Sequence, residues 1–94
     1  MYYVYVLLSL KDNKFYTGYT NDLKNRKKQH DNGLVFSTKT RRPLQLIYYE
    51  VCYNKQDAKA REKYLKSGMG KRYINNRLKN HLKSIKISNG DEIN

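Results

Sequence analysis

The sequence predicts an α+β fold in which helices flank a three-stranded, largely antiparallel sheet, in the order β-β-α-β-α-α. Three segments, at 2–8, 15–20 and 44–53, are rich in the β-branched, aromatic and other apolar residues that strands favour. Turn-forming residues separate the first two segments and indicate a hairpin. Helix caps and glycines then bracket the intervening and following segments, where apolar residues recur at helical spacing.

The hairpin is expected to close through a two-residue turn at Asp12-Asn13. Such a turn places Tyr5 and Tyr16 on one face of the sheet, with Gly18 leaving open space beside them. The two hydroxyls could then act together. Two ordinary sheet tyrosines that pack through their rings would produce the same pattern, so the spacing leaves both interpretations open.

A first helix is expected between a cap at Asn21 or Asp22 and a stop at Gly33. Arg26 and His30 lie one turn apart on one face of this helix. Arginine offers a permanently charged fork that suits phosphate, and histidine can exchange a proton near neutral pH. A solvated basic helix whose histidine only caps its end is the alternative.

A basic loop over 34–43 connects this helix to the third strand, after which Asn54 caps a second helix. Gly68 is predicted to end that helix, and Gly70 to loosen the turn that follows. A third helix is expected from Lys71 to about Leu82, because apolar residues there repeat at helical spacing.

The acidic residue Glu62 lies on the apolar face of the second helix, within a stretch dominated by lysine and arginine. A lone carboxylate there can accept an ion pair from Arg61 or Lys66. It can also be a ligand of Mg²⁺, which uses one or two carboxylates together with substrate phosphates. Helical spacing does not choose between these roles.

The length of 94 residues allows one domain, predicted at 1–82, followed by a flexible C-terminal tail at 83–94. A formal net charge of +12 indicates an acidic partner. Nucleic acid is favoured because basic residues alternate with tyrosines, although a generally basic surface is the alternative. The single cysteine excludes an internal disulfide, and no apolar run is long enough for a membrane span. With no export signal, a cytoplasmic protein is expected.

These residues together resemble the GIY-YIG nuclease domain over roughly residues 2–80. Tyr3-Val4-Tyr5 stands where the family has Gly-Ile-Tyr, and Tyr16-Thr17-Gly18 where it has Tyr-Ile-Gly. Arg26 and His30 match positions of the family's first helix, and Glu62 matches its metal-binding glutamate. The chain is most similar to small standalone members related to the nuclease domain of UvrC.

The chain departs from the family pattern at the residues between the tyrosines. Tyr3 replaces the first glycine, and Val4 and Thr17 replace isoleucines. These changes leave the tyrosines, the arginine and the glutamate in place. The family's late asparagine is assigned to Asn76, with Asn75 as the alternative.

The resemblance implies a metal-dependent endonuclease that hydrolyses phosphodiester bonds in DNA, structure-selective or weakly sequence-specific, acting in DNA repair or recombination. Glu62 is then the ligand of one Mg²⁺ or Mn²⁺ ion, and Tyr5, Tyr16, Arg26 and His30 are catalytic. Tyr5 is expected to deprotonate water, with its pKa lowered by the ion or by nearby cations. Gly18 and Asn76 support the site. The expected phosphate contacts are Lys27, Lys39, Arg41, Arg42, Lys71 and Arg72.

Other functions stay open on the sequence. A catalytically silent nucleic-acid-binding module of the same fold needs the charge and the tyrosines but not the metal. A module that depends on a protein partner to deliver its substrate is a variant of the enzyme. A basic structural protein would make no use of Tyr5, Arg26 or Glu62. RNA stays an alternative to DNA, and the oligomeric state is not predicted.

Overall fold

The computed structural model describes residues 1–89 and confirms the predicted α+β class. The strands are β1 (Tyr2–Ser9), β2 (Phe15–Thr20) and β3 (Leu44–Cys52), and they form one antiparallel sheet in the order β2-β1-β3. The four helices are α1 (Leu23–Asp31), α2 (Lys55–Lys66), α3 (Gly68–Arg77) and α4 (Lys79–Asn89). None of the helices in the described part of the chain could cross a membrane.

The central strand β1 is paired on both sides, and its residues from Val4 to Ser9 are buried. Because side chains alternate along a strand, its two faces belong to different layers. Val4 and Val6 pack against α2 and α3, in a cluster with Ala58, Leu65 and Ile74. Tyr5 and Leu7 point to the opposite face, which α1 partly covers.

The hairpin turn is longer than predicted. Ser9 N–H donates to the carbonyl of Lys14, so a four-residue loop, 10–13, joins the strands in place of a two-residue turn. The register is shifted by two residues, which keeps every side chain on its predicted face. The prediction that Tyr5 and Tyr16 share a face is therefore confirmed, although the predicted turn is wrong.

A β-bulge in β3 lies opposite the step from Val6 to Leu7. Tyr49 faces Tyr5 across the ladder, whereas Leu46 faces Leu7, so one extra residue lies between the two pairings. Directly opposed residues point to the same side of a sheet. Both Tyr49 and Leu46 thus lie on the Tyr5 face, which a regular strand could not achieve.

The C-terminal region differs from the prediction of one helix at 71–82. Ser67 caps α3 by accepting from Gly70 N–H, so both glycines of this segment lie inside a helix. The helix ends at Arg77, and a separate helix, α4, covers residues 79–89. Residues 83–89, assigned to the tail from the sequence, are therefore helical, and residues 90–94 lie outside the described part of the chain.

An ion pair between Glu50 and Arg61 joins β3 to α2. The Arg61 Nη2–Glu50 Oε2 distance is 2.8 Å, and the Tyr48 hydroxyl donates to the same carboxylate at 2.7 Å. The guanidinium lies 5.1 Å from the ring centroids of both Tyr64 and Tyr73. Burial opposes ionisation of Glu50, but these donors outweigh it and lower the pKa of the carboxyl.

The glycines of α3 give a prediction on stability. A Cβ at Gly70 would collide with backbone atoms of Tyr64 and Leu65, whereas a Cβ at Gly68 would meet only the far end of Arg72 at 3.8 Å. Gly70→Ala should lower the free energy of unfolding by roughly 3 kcal/mol, because backbone cannot move aside cheaply. Gly68→Ala, the matched control, should change it by less than about 1 kcal/mol. Urea denaturation checks this, and equal effects would contradict the packing.

Candidate active site

The buried hydroxyl of Tyr5 lies 2.8 Å from Nε2 of His30. The other ring nitrogen, Nδ1, lies 2.7 Å from Oγ1 of Thr38. All three side chains are buried, so a continuous chain of hydrogen bonds runs from β1 through α1 to the loop before β3. Tyr5 and His30, each predicted separately as a site residue, are thus in contact, and the burial of His30 excludes the alternative of a solvated histidine.

His30 is uncharged at neutral pH. Burial, which disfavours the imidazolium, is the main reason that its pKa falls to about 4, and the charge of Arg26 adds to the effect. A neutral imidazole carries one N–H, so it donates one of its two hydrogen bonds and accepts the other. His30 therefore links Tyr5 and Thr38 through one donated and one accepted hydrogen bond.

Tyr16 completes an aromatic group on the same face. Its ring centroid lies 5.2 Å from that of His30 and 6.5 Å from that of Tyr5. The Tyr16 side chain is half-buried, unlike that of Tyr5. The group therefore combines one buried hydroxyl with one nearer to solvent.

Gly18 faces Tyr5 across the ladder, and the ring of Tyr5 occupies the space above it. A Cβ at Gly18 would lie 2.6 Å from the Tyr5 hydroxyl oxygen and 2.7 Å from Cζ. The space that the sequence predicted to be open is thus filled by the tyrosine itself. The absence of a side chain at this position lets the Tyr5 ring lie flat and reach His30.

Arg26 is also near these groups, as the sequence predicted. Its charge acts on both Tyr5 and His30, and its Nη1 donates to Oε1 of Gln29 at 2.9 Å. Burial nevertheless raises the pKa of Tyr5 more than Arg26 lowers it, so the net shift is upward. Arg26 thus lowers this pKa in the expected direction, but burial outweighs it, and the expected effect of the metal ion stays a prediction.

Glu62 lies on α2, half-buried, with its Oε2 3.6 Å from the Nζ of Lys66. The alternative partner Arg61 is engaged with Glu50 instead. The charge of Glu62 contributes to raising the pKa of Tyr5, which places the carboxylate within electrostatic range of the tyrosine. Among the described residues, no group of three or more His, Cys, Asp or Glu side chains could hold a metal.

The basic loop residues expected to contact phosphate have partners inside the protein. Arg41 forms an ion pair with Asp12 at 2.7 Å, and Arg42 donates to the carbonyls of Lys39 and Asp31. Lys39 lies over the ring of Phe36. Arg41 and Arg42 thus hold the loop in place, and their contacts with nucleic acid stay predictions.

The remaining predicted contacts are spread over two helices. Lys27 on α1 pairs with Asp31 at 2.7 Å. Lys71 and Arg72 are exposed on α3, where Lys71 lines a cleft of about 500 Å³ together with Lys14, Phe15 and Arg41. Asn76 is exposed as well.

The alternative asparagine, Asn75, is half-buried and donates to the carbonyl of Lys71 at 2.9 Å. This bond lies within α3, so neither asparagine is brought to Tyr5 by a described contact. The assignment of the late asparagine stays a prediction.

Thr38 is the site residue that the sequence did not indicate. It lies eight residues after His30, in a loop that also contains Ser37 and Thr40. Hydroxyl residues in a loop carry no periodicity that would single out one of them. Only the path of the loop decides which one reaches the imidazole.

This fold and arrangement define a class of nuclease domain. The family model of the GIY-YIG catalytic domain matches residues 1–75, and the chain belongs to this family.

The curated relatives are small bacterial proteins. UPF0213 protein CPE1444 of Clostridium perfringens is 46% identical over 67 residues, which cover 70% of this chain and 71% of the relative. UPF0213 protein YazA of Bacillus subtilis is 43% identical over 66% of this chain and 64% of its own length. UPF0213 protein SSP2268 of Staphylococcus saprophyticus is 40% identical over 70% of this chain and 80% of its own length. Their names state no activity, and no solved structure gives a significant match.

The close approach at Gly18 gives a prediction on the site. Gly18→Ala should displace the Tyr5 ring and break its bond to His30, with a loss of stability of about 1–3 kcal/mol. The NMR shifts of the His30 ring should change, whereas in Gly68→Ala they should not. Unchanged His30 shifts in Gly18→Ala would show that the ring and glycine are not in contact.

The neutral state of His30 gives a prediction on pH. The unfolded chain binds this proton at an ordinary pKa of about 6.5, and the folded protein only at about 4. Stability from this group is therefore complete above pH 6.5 and is lost as the pH falls towards 4, by up to roughly 3 kcal/mol. Urea denaturation at about pH 7.5 and about pH 4.5 measures the loss.

His30→Gln, which cannot titrate, should lose clearly less stability than the wild type over this range. The exposed His81 supplies the control, since His81→Gln should keep the wild-type pH dependence. If His30→Gln and the wild type lose equal stability, the histidine is not held neutral by burial.

Proposed function

We propose that this protein is a metal-dependent endonuclease that hydrolyses phosphodiester bonds in DNA, with structure-selective or weak sequence preference. The observation that carries the proposal is the buried hydrogen bond between Tyr5 and the neutral His30. A buried tyrosine hydroxyl needs a hydrogen-bond partner, and a neutral histidine in that place accepts from it and orients the phenol for catalysis.

The orientation of Tyr5 follows from the tautomer of His30. When Nδ1–H of His30 donates to Thr38, Nε2 accepts a hydrogen bond from the Tyr5 hydroxyl and fixes the position of the phenol. Burial raises the pKa of Tyr5 in the free protein, so the phenol loses its proton only when positive charge arrives nearby. Tyr16, which is nearer to solvent, is suited to hold the attacking water.

Arg26 is suited to the phosphate. Its guanidinium donates to the uncharged amide of Gln29. An anionic phosphoryl oxygen is a stronger acceptor than an amide, so substrate would displace this bond. The charge of Arg26 then opposes the negative charge that develops on the phosphate during hydrolysis.

The donors at Glu62 fit a divalent cation of the Mg²⁺ type. A half-buried carboxylate is present, its contact with Lys66 is long at 3.6 Å, and the described residues offer no nitrogen- or sulfur-rich cluster. Mg²⁺ uses one or two carboxylates and completes its shell with water and substrate phosphates. When bound, it polarises the phosphate and lowers the pKa of nearby water.

The surface charge supports a polyanionic substrate. With a net charge of +12, the chain attracts a phosphate backbone over a long range. The cleft formed by Lys14, Phe15, Arg41 and Lys71 offers cations at the start of β2. Such contacts carry little sequence information. A role in DNA repair or recombination is the proposed context.

Two observations favour a second candidate, a catalytically silent nucleic-acid-binding module. The Glu62 carboxylate already has a cationic neighbour, and the pKa of Tyr5 is raised. A site with these properties could bind a phosphate backbone through its cations without cleaving it. Measured cleavage therefore separates the two functions.

The test is cleavage of labelled single-stranded, duplex, flap and branched DNA with Mg²⁺ or Mn²⁺, with EDTA as the metal-free control. Glu62→Ala should lower the rate by roughly 100-fold or more, and Tyr5→Phe by roughly 100- to 10,000-fold. Asp57→Ala is the matched control, because Asp57 is an exposed carboxylate on the same helix. Circular dichroism checks that each variant is folded.

The outcomes distinguish the candidates. Cleavage lost in Glu62→Ala and retained in Asp57→Ala supports the metal-dependent enzyme. Binding of every substrate with no cleavage by the wild type would favour the silent module. Cleavage that survives Glu62→Ala would refute the proposed role of this carboxylate.

A further inference from the structure

A second surface on the Tyr5 face of the sheet shares only Lys27 with the phosphate contacts predicted above. It is a groove of about 660 Å³ between α1 and β3, here called the Tyr49 groove. The sheet contributes its apolar floor, and α1 contributes a row of cations along one wall. The principal lining residues are Tyr3, Leu46 and Tyr49 from the sheet and Lys24, Lys27 and Lys28 from the helix.

The groove exists because of the bulge in β3. The bulge places Leu46 and Tyr49 on one face, although a regular strand would send them to opposite faces. The helix α1 is only nine residues long, so it covers Tyr5 and leaves the floor beyond it open. The ring of Tyr49 is 53% exposed in consequence.

The tyrosine ring is held in position from one side. The ring of Tyr3 lies against that of Tyr49, with centroids 6.2 Å apart and planes tilted by 60°. This contact supports the Tyr49 ring without closing its other surface. A supported, half-exposed aromatic ring is a platform on which a planar group can stack.

The charge of the wall selects the class of planar ligand. Three lysines line the groove against one carboxylate, Asp22, which is engaged in accepting Asn25 N–H as the helix cap. Lys27 pairs with Asp31, but Lys24 and Lys28 are exposed. An aromatic platform beside free cations suits a base together with its flanking phosphates.

We propose that the Tyr49 groove binds an unpaired nucleotide of the substrate, its base stacked on Tyr49 and its phosphates near Lys24 and Lys28. This inference rests on the proposed function and extends it, since it would make the enzyme select for substrates with unpaired bases. Tyr49 faces Tyr5 across the ladder, so the groove lies on the same face of the sheet as the catalytic tyrosine, which α1 covers. A paired base cannot stack on the platform, because its faces are covered by its neighbours.

The test measures binding without cleavage. Fluorescence anisotropy in EDTA compares a duplex containing a short unpaired segment with a fully paired duplex of equal length. Tyr49→Ala should weaken binding of the first by roughly tenfold, since stacking on an aromatic side chain is lost, and leave binding of the second within about twofold. Tyr49→Phe, which keeps the ring, should restore the wild-type preference. The exposure of Tyr49 makes unfolding of these variants unexpected, and thermal denaturation checks it.

Tyr53→Ala is the matched control. Tyr53 is 87% exposed beyond the end of β3 and does not line the groove, so its loss should leave the preference for unpaired bases unchanged. Equal losses in Tyr49→Ala and Tyr53→Ala, or equal losses on paired and unpaired DNA, would overturn the proposal.

Because the experiment needs neither metal nor cleavage, it is independent of the catalytic test. If the wild type never cuts DNA but Tyr49→Ala shows the selective loss of binding, the groove proposal is supported and the nuclease proposal is refuted. If the wild type cuts DNA and Tyr49→Ala does not change binding, the nuclease proposal is supported and the groove proposal is refuted.

Discussion

The double pairing of the central strand is the constraint on which the rest of the structure depends. Because β2 and β3 both bond to β1, neither edge of β1 is open, and its side chains from Val4 to Ser9 are buried in the two layers on either side of the sheet. One layer is an apolar core shared with α2 and α3. The other holds Tyr5, whose hydroxyl needs a partner in a buried setting. His30 of α1 supplies that partner, and Thr38 in turn satisfies His30.

This division places Tyr5 and His30 on one side of the sheet and the apolar core on the other, while the proposed metal ligand Glu62 lies on α2, a helix of the core side. The core layer contains apolar side chains. At its edge, the Glu50–Arg61 ion pair joins β3 to α2, and the Arg61 guanidinium lies near the rings of Tyr64 and Tyr73. The Tyr5 layer is thinner, because a nine-residue helix covers only part of the sheet. A thin cover is what leaves Tyr16 near solvent and the Tyr49 groove open. The same feature that weakens packing therefore provides access for a substrate.

The basic charge is arranged in two ways. Arg41, Arg42 and Lys27 have partners within the protein and fix the loop and the first helix. Lys24, Lys28 and Lys71 are exposed. Surface ion pairs contribute little to stability, so the paired residues can still turn to a phosphate backbone at modest cost. The exposed lysines can bind phosphate without first breaking an ion pair described here, so they are the first candidates for attracting a nucleic acid over a long range.

The three strands, the first two helices and the common face of Tyr5 and Tyr16 could be predicted from the sequence, because these features depend on local periodicity and capping. The sequence also indicated Arg26, His30 and Glu62, whose side-chain chemistry is uncommon at such positions. It did not determine the hairpin turn, the break between α3 and α4, or the bulge in β3. Both Gly68 and Gly70 were expected outside a helix, but they lie in α3. Gly70 is required because the chain approaches the backbone of Leu65 closely there, not because the chain turns. Thr38, the Glu50–Arg61 pair and the Tyr49 groove were decided by tertiary structure alone. Each joins residues distant in sequence, and no local pattern specifies which distant side chains will meet.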